Sequence, residues 1–222
     1  RFYVEKCGAM RNFANKLYNA ARFVLLSREG FQAKEDTPTL ADRFMRSRLS
    51  QGVEEITALY EALDLAQAAR EVYELVWSEF CDWYLEAAKP ALKAGNAHTL
   101  RTLEEVLAVL LKLLHPMMPF LTSELYQALT GKEELALEAW PEPGGRDEEA
   151  ERAFEALKQA VTAVRALKAE AGLPPAQEVR VYLEGETAPV GENLEVFRFL
   201  ARADLLPERP AKALVKAMPR VT

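Results

Sequence analysis

The side chains with the most chemical potential in this 222-residue sequence lie in one short stretch near its start. These basic, amide and aromatic side chains would lie outside the apolar stripe of a helix. Opposite that stripe lie Arg11, Asn15 and Arg22, and along one flank between the core side and the open side lie Asn12, Lys16, Asn19 and Phe23. Arg and Lys neutralise phosphate, Asn can hydrogen-bond an unstacked base, and Phe offers a flat face for stacking. Asparagine is a poor helix former, so three in one helix indicate that a partner uses the amides. The set predicts an RNA-binding surface. The alternative is that the amides bond within the fold and that Phe23 belongs to the core.

The charge distribution is uneven along the chain. The net charge is −6, yet residues 1–48 hold ten Lys or Arg against five Asp or Glu, whereas residues 49–152 hold eight against twenty. Such asymmetry is typical of a polyanion partner, although a basic solvated face would look the same. Arg43, Arg46 and Arg48 extend the basic segment. They are candidates for phosphate contacts and equally for surface ion pairs.

No pattern of catalytic residues is recognisable. The sequence lacks a Gly-rich phosphate loop, a GxSxG elbow and an HExxH helix. Its two cysteines, Cys7 and Cys81, and two histidines, His98 and His115, lack metal-ligand spacing. Pairs such as Glu86 with Lys89 are typical of solvated helix faces. We therefore predict no catalytic, cofactor or metal site in this chain.

Composition predicts a globular protein away from membranes. Half of the residues are apolar and 28% are charged. No apolar run approaches the roughly 20 residues that span a bilayer, and no leader-like segment opens the sequence, so we expect a cytoplasmic location. The first residue is Arg1 rather than Met, which leads us to expect a piece of a longer protein.

Hydrophobic periodicity predicts a mainly α fold whose larger part is an antiparallel helical bundle over residues 1–143. Helices are expected at residues 5–27, from a Thr37-Pro38 start to residue 63, and at 65–88, 99–115 and 120–131. The third helix is expected to begin at an Asp64 cap and to face inward through Leu65, Ala69, Val72, Val76, Phe80 and Trp83. Pro90, Gly95 and Asn96 are expected to mark the next break, and the fourth helix is expected to be buried centrally.

Residues 144–222 are predicted to form a linker helix and a small α+β module. A fifth helix is expected at 147–171, ended by Gly172 and two prolines. Alternation predicts a strand at 179–183, and weaker patterns predict a short helix at 194–203 and a second strand at 214–218.

Four blocks of the sequence resemble the valyl-tRNA synthetase family. Arg11–Phe23 resembles the RNFxNKLWNAxRF stretch that opens its anticodon-binding helical domain, with Tyr18 where the family often has Trp. The other blocks are Phe80–Glu86 with Lys89 and Pro90, Leu113–Phe120, and Val164–Glu170 with residues 173–175. Single blocks are shared loosely with related synthetases, whereas the first and last together indicate the valine family.

The resemblance implies a class I synthetase segment that binds the tRNA anticodon stem-loop through the first helix. Its ATP- and Mg-dependent catalytic domain would lie upstream in the same polypeptide, because the HIGH and KMSKS signatures and an editing domain are missing here. The chain alone is therefore expected not to aminoacylate tRNA.

Two alternatives stay open. One is the same domain of an isoleucyl- or leucyl-tRNA synthetase, although isoleucine enzymes often carry a zinc-binding tail that two cysteines cannot supply. The other is a helical scaffold that binds protein through an exposed apolar stripe.

Overall fold

The computed structural model describes residues 4–184 and 187–209, with side chains from residue 8 onward. The chain divides into two compact units, Arg1–Asp147 and Glu148–Thr222. The prediction of a mainly helical protein with a small α+β part is confirmed. The division falls after Asp147, and the predicted boundary after residue 143 stays a prediction.

The first unit is helical throughout its described elements, which follow one another through short connections. They are α1 (Val4–Arg28), α2 (Leu40–Glu61), α3 (Leu65–Glu74), a π-helix (Leu75–Tyr84), α4 (Leu85–Ala94), α5 (Ala97–Leu114), α6 (Pro119–Thr130) and a 3-10 turn (Leu135–Leu137). No described helix combines the length and apolarity needed to cross a membrane.

The core of this unit forms around α5 and one stripe of α1. Leu103, Leu107 and Leu110 of α5 are fully buried, as the all-round apolar pattern predicts for a central helix. On α1, the stripe of Phe13, Leu17, Ala20 and Val24 is also buried. Burying this stripe fixes the rotation of α1 and leaves its polar flank toward solvent.

The start of α2 differs from the prediction. Thr37 does not cap the helix; Thr39 does, because its hydroxyl accepts the Asp42 N–H (3.1 Å) while the Asp42 carboxylate accepts the Thr39 N–H (3.0 Å). Thr37 lies two residues before this cap. Its carbonyl instead accepts a hydrogen bond from Asn96 (2.8 Å), which holds residue 37 in the loop before the helix.

Asp42 also joins three elements from inside the core. Its side chain is fully buried and accepts hydrogen bonds from the Tyr84 hydroxyl and the Thr99 hydroxyl, both at 2.7 Å. Burial, together with the adjacent Asp42 carboxylate, raises the pKa of Tyr84 well above its ordinary value. A buried carboxylate is costly unless it is hydrogen-bonded, so these partners fix α2 against the π-helix and α5.

The third predicted helix is longer and more irregular than expected. Asp64 caps α3 as predicted, accepting the Gln67 N–H at 3.0 Å. Two of the six predicted inward positions are wrong, because Leu65 is 57% exposed and Ala69 is exposed. Val72, Val76 and Phe80 are buried as predicted. The helical path then continues through the π-helix and α4.

Pro90 lies inside α4, so this part of the predicted break is wrong, whereas the break at Gly95 and Asn96 is confirmed, because Gly95 ends α4 and Asn96 caps α5. The ring of Pro90 is buried, and the helix continues to Gly95, which has φ +86°. Packing of the ring offsets the backbone hydrogen bond that proline cannot donate. The next predicted stop is correct, because α5 ends before Pro116 and α6 ends at Gly131 with φ +77°.

The second unit contains α7 (Glu148–Glu170), β1 (Val179–Val181), α8 (Ala188–Glu192), α9 (Leu194–Ala201) and β2 (Ala203–Leu205). The strand at 179 and the helices at 148 and 194 are confirmed with shorter bounds. The partner of β1 is the unpredicted β2, which pairs in parallel with Val179 opposite Ala203. The predicted strand at 214–218 lies outside the described residues.

Lys168 of α7 ties this unit together. Its side chain is buried, and its ammonium donates to the carbonyls of Ala201 (2.9 Å), Arg202 (3.0 Å) and Pro175 (3.3 Å). Burial, with Arg202 and Arg165 nearby, lowers the pKa of Lys168. The ammonium thereby connects α7 to the turn after it and to the α9–β2 junction.

Candidate RNA-binding surface

The α1 ridge, formed by Arg11, Asn12, Asn15, Lys16, Asn19, Arg22 and Phe23, lies along the side of α1 that the core leaves open. All its members are exposed except Lys16 and Phe23, which are half-buried. Among the described residues, the amides of Asn12, Asn15 and Asn19 have no hydrogen-bond partner. The three amides are therefore not bonded inside the bundle, contrary to the alternative that the sequence left open. The ridge presents donors and acceptors to solvent.

Lys16 is held in place by two neighbours that sequence reasoning did not assign. Its Nζ bonds to Asp82 Oδ1 at 2.5 Å and lies 3.6 Å from the centre of the Trp77 ring. Trp77 stacks on Tyr73 (5.6 Å between ring centres), and Tyr73 stacks on Phe13 (5.0 Å). The Trp77 ring and Asp82 hold the ammonium against the π-helix, and Asp82 offsets its charge.

The π-helix supplies both neighbours of Lys16. Its wider turn is seen in the Leu85 N–H, which bonds to the Phe80 carbonyl five residues earlier. Residues five apart, such as Trp77 and Asp82, therefore lie on nearly the same side of this segment. Turns of this kind occur often at functional sites. In the sequence, Asp82 belongs to the Phe80–Glu86 block, which resembles the valyl-tRNA synthetase family. That resemblance alone predicts no contact between Asp82 and Lys16.

A cleft of about 430 Å³ opens at the end of α1. Its lining combines aromatic rings and ammonium groups, namely Phe23, Phe31, Lys34, Lys89 and Lys93, with neighbours that include Leu26, Glu29, Gln32, Leu92 and Gly95. Lys89 Nζ lies 5.6 Å from the centre of the Phe23 ring and pairs with Glu86 at 2.5 Å. A half-buried ring beside ammonium groups suits an aromatic, anionic ligand such as a nucleotide.

Gly95 allows one wall of this cleft to close. Its carbonyl accepts the N–H groups of Lys34 (2.9 Å) and Glu35 (3.3 Å). A Cβ at Gly95 would lie 2.6 Å from the Gln32 carbonyl oxygen, and its φ of +86° favours glycine. The loop after α1 can therefore approach the end of α4 closely, which brings Lys34 to the cleft.

The arginines of α2 are engaged within the first unit. Arg43 forms a two-pronged ion pair with Asp147 (2.8 and 3.1 Å), and Arg46 bonds to Thr102 (3.1 Å) and Glu105 (2.5 Å). Arg48 bonds to Gln51. The sequence allowed either phosphate contacts or ion pairs for these arginines, and the structure shows ion pairs for Arg43 and Arg46. A role in phosphate binding stays a prediction.

Cys81 and His115 have structural surroundings in the first unit. In the part of the chain that the structure describes, no group of three or more His, Cys, Asp or Glu side chains is placed to hold a metal ion. Cys81 is buried, and burial raises the pKa of its thiol to about 12. His115 Nδ1 lies 2.8 Å from the Thr122 hydroxyl, as expected for a structural residue at a helix end. The side chain of Cys7 lies outside the described residues.

Comparison with known proteins identifies the family of this chain. Residues 42–183, more than half of the chain, match the model of the anticodon-binding domain of tRNA ligase. The chain therefore belongs to the anticodon-binding domain family of tRNA ligases. The chain is 99% identical over 212 residues to the valine–tRNA ligase of Thermus thermophilus, covering 96% of this chain and 25% of that protein.

More distant relatives bear the same name. The valine–tRNA ligase of Deinococcus radiodurans is 42% identical over 247 residues, and that of Clostridium acetobutylicum is 36% identical over 239 residues. These matches cover 96% and 97% of this chain and 27% of each relative. The chain thus spans about a quarter of the length of the relatives that it matches.

Proposed function

We propose that this chain binds the anticodon stem-loop of valine tRNA as the anticodon-binding part of a valine–tRNA ligase. The observation that carries the proposal is the exposed α1 ridge, whose three unpaired amides lie beside cationic and aromatic side chains. The relatives named valine–tRNA ligase, at 36–99% identity, favour valine over isoleucine or leucine.

In this proposal, different side chains do different work. Arg11, Arg22 and Lys16 attract phosphate without regard to sequence, with Arg43 and Arg46 as further contacts. Asn12, Asn15 and Asn19 discriminate the edges of splayed bases, and Phe23 stacks on one of them at the mouth of the cleft. Lys34, Lys89 and Lys93 neutralise the phosphates that flank this base.

The chemistry of aminoacylation would belong to the rest of the polypeptide. A ligase of this class attaches valine to its tRNA in the cytoplasm, using ATP and Mg²⁺ in an upstream catalytic domain. Docking of the anticodon on this chain would help to place the distant acceptor end in that active site.

The proposal is tested by measuring the binding of fluorescent anticodon hairpins to the purified chain at low salt. We expect the valine hairpin to bind more tightly than hairpins with isoleucine or leucine anticodons. Preference for one of those would assign the chain to the corresponding synthetase. Absence of binding to any hairpin would favour a protein-binding scaffold.

Phe23→Ala tests the stacking role in the same assay. Base–aromatic stacking is worth roughly 1–3 kcal/mol, so we expect a loss of about tenfold in affinity. The matched control is Phe120→Ala, which removes a 92% exposed phenylalanine from another helix and should leave RNA binding unchanged. A lower melting temperature for Phe23→Ala with unchanged hairpin affinity would identify Phe23 as a core residue and refute the stacking role.

A further inference from the structure

Phe120 is the most exposed large apolar side chain among the described residues, at 92%. It follows Pro119 at the start of α6, immediately after the turn that joins α5 to α6. A phenylalanine in this position leaves its ring in water and forgoes the stabilisation that burial would provide.

The surroundings of Phe120 form an apolar tip, defined as residues 116–120. Pro116 and Pro119 are exposed, and Met117 and Met118 are half-buried. The eleven residues from Leu113 to Ser123 contain no Asp, Glu, Lys or Arg, in a chain that is 28% charged. An uncharged apolar patch of this kind marks an interaction surface rather than a solvated turn.

The apolar tip is fixed in shape. The N–H groups of Met117 and Met118 both donate to the Leu114 carbonyl, at 2.9 and 3.0 Å. The Thr122 hydroxyl donates to the Met118 carbonyl at 2.9 Å and contacts His115 Nδ1 at 2.8 Å. Phe120 is therefore presented by an ordered turn, which lowers the entropy lost when a partner covers it.

Charge and area decide what kind of partner fits. RNA is disfavoured, because the tip offers no cation to phosphate. A separate protein or a second copy is disfavoured as well, because one phenylalanine buries roughly 150–250 Å². A stable interface buries about 800 Å² on each partner. A contact within one polypeptide needs far less area, because the connecting chain supplies a high effective concentration.

We propose that the apolar tip docks onto an uncharged apolar face elsewhere in the same polypeptide of a full-length valine–tRNA ligase. The proposal rests on the proposed function in one respect, that this chain acts as a segment of such a ligase. Relatives about four times as long as this chain provide the polypeptide that such a contact needs, since the chain covers 25% of the Thermus thermophilus protein.

The test uses the full-length Thermus thermophilus valine–tRNA ligase without tRNA. A photoreactive p-benzoylphenylalanine replaces the residue that matches Phe120, and cross-linked peptides are mapped by mass spectrometry after irradiation. The matched control places the same group at Leu137, which is 79% exposed and precedes Glu138. We expect an intramolecular cross-link from position 120 to a peptide outside this segment, in yield several-fold above that from position 137.

Other outcomes overturn the proposal. They are cross-links between two copies of the ligase, cross-links confined to this segment, and equal yields at the two positions. A second measurement compares unfolding midpoints of the full-length ligase. Phe120→Ser should lower the midpoint and Leu137→Ser should not, and equal midpoints would contradict docking. Because neither measurement includes tRNA, failure of RNA binding on the α1 ridge would be seen separately, in the hairpin assay.

Discussion

At the scale of the residue, the main finding is that Lys16 is not a free cation. Its ammonium is shared between the Asp82 carboxylate and the Trp77 ring, so phosphate must compete with Asp82 for it. A partly exposed ion pair contributes little to stability, typically less than about 1 kcal/mol. The pair therefore suits a site where one partner changes on binding. The sequence shows the basic residue, but its partner lies 66 positions away along the chain.

Two substitutions with opposite expected effects test this arrangement. Lys16→Ala removes a cation and leaves the Asp82 carboxylate beside the RNA, so we expect weaker hairpin binding and a salt slope lower by about one. Asp82→Asn frees the ammonium of Lys16, so binding at low salt should tighten. Titrations of the hairpin across a series of salt concentrations measure both effects. If both variants shift affinity in the same direction, the pair acts through folding and Lys16 is not a phosphate contact.

At the scale of the element, local signals in the sequence were sufficient for most helix ends. Glycines with positive φ end α4 and α6, and Asp64 caps α3 as its position predicts. The π-helix was not predictable, because a shift to hydrogen bonds five residues apart leaves no mark in composition. The pairing of β1 with β2 was missed for another reason. Three-residue strands carry too little alternation to be recognised, and a parallel partner is set by the fold around it.

The start of α2 provides a test at this scale, because sequence and structure assign different caps. Thr39→Ala removes one half of the capping box, so the free energy of unfolding should fall by about 1 kcal/mol. Thr37→Ala is the matched control, since the residue 37 carbonyl that accepts from Asn96 is retained. Chemical denaturation followed by circular dichroism measures both. A larger loss for Thr37→Ala would restore the sequence-based assignment.

At the scale of the whole molecule, the placement of charge is compatible with the proposed binding of RNA by an acidic protein. The excess of acidic side chains lies in residues 49–152, whereas the α1 ridge belongs to the basic segment before them. Several of those acids are already paired with bases, as in Asp147 with Arg43 and Glu105 with Arg46. The sequence could predict the ridge because helical periodicity fixes its exposed flank. It could not predict the cleft, because Lys34 and Lys89 reach it from separate elements.

Among the described residues of the second unit, Lys168 is the buried cation, and its contacts lead to the last prediction. Lys168→Met keeps most of the aliphatic stem but leaves the Ala201 carbonyl without the ammonium and the Arg202 carbonyl with the Val179 N–H alone. An unsatisfied buried acceptor costs about 1–3 kcal/mol, and we expect the unit to lose an amount in this range. The loss should appear first at the β1–β2 pair, because Arg202 also accepts the Val179 N–H at 3.2 Å.

Hydrogen exchange followed by mass spectrometry reads this loss directly, as faster exchange at residues 203–206. The control, Arg152→Met on the same helix, removes a 62% exposed side chain whose ion pair with Glu148 spans 3.6 Å. Its effect should stay below about 0.5 kcal/mol. Unchanged exchange in Lys168→Met would mean that apolar packing around Phe197 and Leu200 holds the unit without the ammonium. Such a result would remove Lys168 from the interactions that determine this fold.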